Sequence, residues 1–493
     1  MGLSGLKYFR YLKRRDIRAL VESGLDAANA VPNSGFIFVE NSQGASAAAS
    51  ELSKSLDTAI EQVDLEGTVR SGLVLTALHC HEQTADYDNG SGDLGEQLRA
   101  QLKRLDEKAV EYSNSSLAGL TRQTEWTCSQ SEAEIISIAW KCAAGAYDPT
   151  LDIRSDGFEF NLRNDVPSSM GGATKATTFT LVDKAASQQA SNSFVPVLVI
   201  AVRGTASSID HMVNMNSQAK DASCLYETKH LDQGYAEIVT SIEAHAGFLN
   251  SAQALEGVVS NYIDDYAKQG NVKHVLFTGH SAGGAVSSLL YLRYLLCGKS
   301  KYPSLRFSSI TFGSPPALRW GLVQQEDLVA EGGLSLNIIN EYDLVSRVDR
   351  SYIRTLVDLY RSIYDFPPIR DPDLQTTRAA PGACVSANND SKDEEETRRE
   401  QTGKYWIVPK PVYRHVGKRV VLKLGIIPTE DGNYESRDKP TSQLALSASC
   451  IPGEEFAKLL FCRVTVHSRV CYQERIALIT DGHFNGKNGW LLE

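Results

Sequence analysis

A serine stands where a nucleophile could work in residues 273–296, KHVLFTGHSAGGAVSSLLYLRYLL. Gly279-His280-Ser281-Ala282-Gly283 fits the pattern GxSxG. The apolar run before it reads as a strand and the apolar run after it as a helix, so the serine falls on a strand–turn–helix corner. Such a corner forces the serine backbone into a strained geometry. Side chains two residues before or after it would collide with each other or with the next strand. The product is a hydroxyl at a helix N-terminus, where the helix dipole favours developing negative charge.

A serine hydroxyl needs a base, and the base needs an orienting acid. On a sheet of this kind the chain order is Ser, acid, His. NIINEYDLVSRV supplies the acid, Asp343, just past a strand that ends at Asn340. Asp349 is a nearby alternative that reads as a solvated charge. Three histidines follow: His415 in VYRHVGKR, His467 in CRVTVHSRVCYQERIAL and His483 in TDGHFNGKNG. His467, directly before a helical run, is the expected base, with His415 and then His483 as alternatives. His211, His245, His274 and His280 precede the acid and fit the order badly. The tetrahedral intermediate needs two N–H donors. One is expected from Ala282 and the other from the loop after VPVLVIAVRGT, at Thr205.

These residues need a scaffold. Strand-like runs recur at 158–162, 179–185, 195–205, 274–278, 306–312 and 335–340. Helical runs lie at 132–146, 248–268 and 284–297. Continuous apolar strands suit burial on both faces, and alternation with helices predicts an α/β protein with a mainly parallel sheet covered by helices. YWIVPKPVYRHVGKRVVLKL reads as a pair of strands, and a last helix is expected over about 454–480. Residues 1–120 read as a helical N-terminal region and 121–493 as the α/β-hydrolase domain, with a polar, charged surface insertion at 380–403.

The chain has 493 residues, a formal net charge of −10, 42% apolar and 22% charged residues. An acidic balance argues against a nucleic-acid partner. Nine cysteines are scattered without a CxxC pair, which favours free thiols in a reducing compartment. His79-Cys80-His81 is the one dense cluster of metal-ligand types, and it lacks a second ligand pair. The N-terminus shows no secretory apolar core, no stretch reaches a membrane span, and Leu6 breaks the myristoylation pattern. A cytoplasmic protein is expected. Residues 5–30 read as a basic amphipathic helix, which either packs on the body or makes a peripheral contact with an anionic membrane.

Taken together these segments resemble the class 3 lipase family, the fungal triacylglycerol-lipase type, over roughly 130–480. AVRGT resembles its strand and oxyanion loop, His245-Ala246-Gly247-Phe248 its H-x-G-F segment, and GHSAGGA its nucleophile elbow. TFGSPP (311–316), NEYDLVSRV, VYRHVG (412–417) and HSRVCY (467–472) follow in the family's order. The resemblance implies an α/β-hydrolase that cleaves carboxyl esters of lipids through Ser281, His467 and Asp343, with no cofactor and with a lipid or other acyl ester as substrate. It also favours His467 over His415, whose Y-x-H-x-G position is not catalytic in that pattern. Family members often carry Trp a few residues after the oxyanion loop, near a mobile lid; here that run is SSIDHMVNMN. Two alternatives stay open at this level: an esterase or thioesterase acting on another metabolite, and a lipase-like scaffold kept for binding.

Overall fold

Seven consecutive buried residues, His274–His280, form the middle of an eleven-stranded sheet in this computed structural model. The structure describes residues 103–148, 150–151, 153–167, 175–185, 192–205, 218–225, 242–319, 332–365, 404–428, 442–485, 487–488 and 490–491. The readings at 5–30, 79–81 and 380–403, the first 102 residues of the N-terminal region, and the run after Thr205 lie outside them.

In chain order the strands are β1 Thr124–Glu125, β2 Phe158–Val166, β3 Thr177–Lys184, β4 Val197–Val202, β5 His274–His280, β6 Arg306–Phe312, β7 Ser335–Asn340, β8 Lys418–Pro428, β9 Ser442–Ile451, β10 His483–Phe484 and β11 Lys487–Asn488. Their order across the sheet is β11-β10-β9-β8-β7-β6-β5-β4-β3-β2, with β1 on β9. The five strands β4 to β8 run parallel, as their apolar runs predict. Antiparallel pairs flank them: β2 with β3 and β3 with β4 on one side, β8 with β9 on the other.

Alternation along β4 shows how both faces are covered. Leu198, Ile200 and Val202 pack on one side with helices α2 (Ala246–Gln269) and α3 (Ala282–Lys301). Val197, Val199 and Ala201 pack on the other with α1 (Gln130–Gly145) and α5 (Arg469–Thr480). Helix α1 begins at a capping box. Ser129 Oγ accepts from the Glu132 N–H at 3.2 Å, and Glu132 Oε2 accepts from the Ser129 N–H at 2.7 Å. A fourth helix, α4 (Arg350–Ser362), follows β7.

Residues 103–120 lie on this body. Leu105, Ala109 and Tyr112 share a buried cluster with Tyr352, Leu356, Leu359 of α4, Trp406 and Leu460. Asn114, fully buried, donates to the carbonyls of Trp406 at 2.9 Å and Lys458 at 2.6 Å, and accepts from the Trp406 N–H at 3.1 Å.

Two local expectations change. The 404–417 stretch forms no regular strand; its buried Trp406, Tyr413 and His415 anchor it through side chains, and the partner of β8 is β9. The helix expected over 454–480 is broken. A short turn of helix, Gly453–Phe456, gives way to a buried irregular segment, Leu459–Cys462, and then to the 3-10 turn Thr465–His467 before α5. Ser468 caps α5 by accepting from the Cys471 N–H, so the helix starts only after the histidine. Among the described residues no helix is long and apolar enough to cross a membrane.

Candidate active site

Strand β5 ends at His280, and Ser281 turns the chain into α3 with φ 58° and ψ −135°. A non-glycine residue at positive φ is held there only by strong surroundings. Here the Ser281 N–H donates to the Phe312 carbonyl at 2.9 Å, and the Ser281 carbonyl accepts from the Gly284 N–H at 2.9 Å. The glycines on either side have steric reasons. A Cβ at Gly279 would lie 2.5 Å from the Gly283 carbonyl carbon. A Cβ at Gly283 would strike the Val202 carbonyl oxygen and lie 2.7 Å from the Arg203 carbonyl carbon. The sharp corner predicted from GxSxG is therefore present, with Ser281 nearly buried.

Register places the two segments from which the oxyanion donors were expected. In the parallel pair β4–β5, Val202 stands opposite Gly279. Past that point Arg203 and Gly204 lie against Gly283, whose added Cβ would sit 2.7 Å from the Arg203 carbonyl carbon and 2.8 Å from the Gly204 nitrogen. A Cβ at Gly204 would reach 2.7 Å from the His280 carbonyl oxygen, a measure of how close the two segments lie. Ala282 opens α3, where first-turn N–H groups have no partner within the helix.

Asp343 sits just past β7 and is fully buried. Its Oδ2 accepts from His467 Nδ1 at 2.9 Å and from Tyr472 Oη at 2.7 Å. Its Oδ1 accepts from the Val345 N–H at 2.9 Å. His467, also fully buried, therefore has its Nδ1 proton directed at a carboxylate, which leaves Nε2 as the basic nitrogen. Gly313 (φ 56°) ties this pair to the serine. It follows Phe312, whose carbonyl holds the Ser281 N–H, and a Cβ on it would lie 2.8 Å from Asp343 Oδ2 and 2.9 Å from His467 Cε1.

The other candidates lie elsewhere. His415 Nε2 donates to the Ser314 carbonyl at 2.9 Å, and burial pushes its imidazole down to about 3. Among the described residues no carboxylate is hydrogen-bonded to it. His483 is exposed on β10. Asp349 is not the solvated charge expected. It is buried as the N-cap of α4, accepting from the N–H groups of Tyr352 at 2.8 Å and Val412 at 2.6 Å.

Three residues with no role assigned from the sequence touch the site. Tyr472 shares Asp343 Oδ2, and burial and the neighbouring Asp343 hold its hydroxyl well above the usual tyrosine range. His280, which precedes the acid and fits the order for a base badly, stacks on the His467 ring at 4.6 Å between centroids. Tyr147 meets His280 Nδ1 at 3.1 Å. HSRVCY carried a signal for Tyr472; no pattern in the sequence marked Tyr147.

The family model of lipases (class 3) matches residues 199–352. Among solved structures, a lipase from Rhizopus microsporus var. chinensis is 18% identical, over 47% of this chain and 72% of that one, with a TM-score of 0.32. The Lip2 lipase of Yarrowia lipolytica is 15% identical, over 46% and 76%, with a TM-score of 0.33. The triacylglyceride lipase of Rhizomucor miehei is 13% identical, over 66% and 87%, with a TM-score of 0.34. No curated protein matches the chain. The matched span runs from β4 through the serine corner and Asp343 into α4, so this stretch of the chain is similar to the class 3 lipases.

Proposed function

We propose that the chain hydrolyses carboxyl esters of lipids through an acyl-enzyme formed on Ser281, with His467 as general base and Asp343 as its orienting acid. The observation that carries this reading is the buried His467 Nδ1–Asp343 Oδ2 hydrogen bond of 2.9 Å beside a serine held at positive φ. His467 takes the Ser281 proton on Nε2, and Ser281 Oγ attacks the ester carbonyl. The amides of Ala282 and Thr205 hold the oxyanion. The imidazolium gives its proton to the leaving alcohol. Water, deprotonated by His467, then releases the acid and restores the serine.

Reaction with a fluorophosphonate probe tests the nucleophile. Labelling of wild type at Ser281 and none in Ser281→Ala supports the reading; equal labelling of both removes it. Glycerolipid esters are the expected substrates, on the family match. Faster turnover of acyl-CoA than of acylglycerols would instead favour a thioesterase. A cytoplasmic location and a peripheral membrane contact through 5–30 belong to the proposal on the sequence alone. Sedimentation with anionic vesicles, compared with a chain lacking residues 5–30, tests the contact.

A further inference from the structure

Tyr147 follows the C-terminus of α1 and meets three parts of the site at once. Its Oη lies 3.1 Å from His280 Nδ1. A Cβ on Gly204, in the oxyanion loop, would run into that same oxygen. The Arg469 guanidinium, two residues after His467, lies over its ring at 4.5 Å. On the other side of the imidazole, His280 Nε2 is 3.0 Å from the backbone carbonyl oxygen of His467.

A carbonyl oxygen only accepts, so His280 Nε2 carries a proton. A neutral imidazole carries one proton, so Nδ1 is an acceptor and the Tyr147 hydroxyl is its donor. The hydroxyl also lies 3.4 Å from the His280 carbonyl oxygen, but the shorter contact is to the ring. The charged form, with both nitrogens donating, is opposed by complete burial, by the His467 ring stacked at 4.6 Å and by Arg469. The remaining ring neighbours, Trp140 at 5.8 Å and Tyr472 at 5.5 Å, bring no charge that would offset it.

Given His467 as the base, we propose that Tyr147 and His280 are a positioning pair for it. The tyrosine hydroxyl locks His280 in the Nε2–H tautomer, and that N–H fixes the backbone carbonyl of His467. Because Tyr147 also backs Gly204, it sets the base and the oxyanion loop against one reference point. Tyr147 acts through His280, and His280 acts through the His467 backbone carbonyl and the stacked ring.

The test uses histidine ring 15N spectra and steady-state kinetics on wild type and Tyr147→Phe. In wild type His280 is expected as the Nε2–H tautomer, with constant shifts between about pH 8 and pH 5. In Y147F the Nδ1 signal should move, because that nitrogen loses its donor. The kcat should fall about 10- to 100-fold with KM within about twofold, as for a misplaced group rather than a lost binding contact. A wild-type Nδ1–H tautomer overturns the proposal even if Y147F fails to fold, and so does a folded Y147F with kcat within about twofold of wild type. The tautomer is read in the resting protein, whereas the triad is tested by Ser281→Ala and His467→Ala, so the two readings fail separately.

Discussion

Tyr472 Oη and Asp343 Oδ2 lie 2.7 Å apart, so the oxygen that orients His467 is held by a second donor. The same tyrosine oxygen accepts from the Asn340 N–H at 3.1 Å, which ties the acid to the end of β7. Replacing Tyr472 with Phe removes a donor to a buried carboxylate and leaves a buried backbone N–H without its acceptor. Each orphaned group costs about 1–3 kcal/mol. Tyr472→Phe should therefore unfold at lower denaturant and lose about tenfold in kcat. Unchanged values of both would mean that the acid is held without the tyrosine.

Gly313 makes a second case. Its φ of 56° disfavours any side chain, and a Cβ would crowd Tyr472 Oη, Asp343 Oδ2 and His467 Cε1 at 2.7, 2.8 and 2.9 Å. Gly313→Ala should cost about 2–4 kcal/mol through strain and overpacking. Because the crowded atoms belong to the proposed acid and base, activity should fall well before the fold is lost. A folded G313A with wild-type kcat would show that these atoms can give way freely.

Buried neutral histidines set an acid limit to stability. His274 is fully buried at the start of β5, with Nδ1 3.0 Å from the Phe194 carbonyl oxygen and Nε2 2.8 Å from Ser308 Oγ. Burial pushes it down to about 4, and His415 down to about 3. Unfolded histidine binds a proton near pH 6.5, so between that pH and the folded values the unfolded chain holds more protons. The stability contributed by the neutral rings is whole above pH 6.5. It is lost as pH falls toward about 4 for His274 and about 3 for His415, up to roughly 3 kcal/mol or more for each. Urea midpoints measured across this range should fall for wild type and fall less steeply for His274→Gln; parallel curves would contradict the assignment.

Asn114 tests whether the segment before β1 is part of the body. It makes three hydrogen bonds in a buried position to residues about 290 and 340 positions away in sequence. Asn114→Ala should lower stability by about 2–4 kcal/mol, given the orphaned groups it leaves, and leave kcat near wild type. A change below about 0.5 kcal/mol, the level of ordinary surface substitutions, would show that the strap contributes little.

Much of the arrangement around Ser281 was legible because its constraints are local. Apolar runs gave the parallel strands, and GxSxG gave the corner, since glycines at 279 and 283 answer contacts made within a few residues or with the adjacent strand. Asp343 was readable from its place after β7. The histidine was harder: His415 and His467 both follow Asp343, and the preference for His467 rested on its place before a helical run and on the resemblance, whereas the structure pairs it with Asp343 across 124 residues. Asp349 was misread because its cap bond to the Tyr352 N–H is local, but its burial and its bond to the Val412 N–H are not. The break at 457–468 was hidden for a similar reason. Leu459, Leu460 and Phe461 look helical by composition, but tertiary packing buries them in an irregular segment. Tyr147 acts through residues brought near it by the sheet, so its sequence neighbours say nothing about it.

The central claim is that Ser281, His467 and Asp343 act as one unit. Hydrolysis of p-nitrophenyl esters of short and long acyl chains by wild type, Ser281→Ala, His467→Ala and His415→Ala tests it most directly. The account predicts turnover by wild type, a fall of about 10⁴-fold or more in both the serine and His467 variants, and much smaller loss in His415→Ala. An active S281A, or an H467A that keeps wild-type kcat while H415A loses it, would contradict the account.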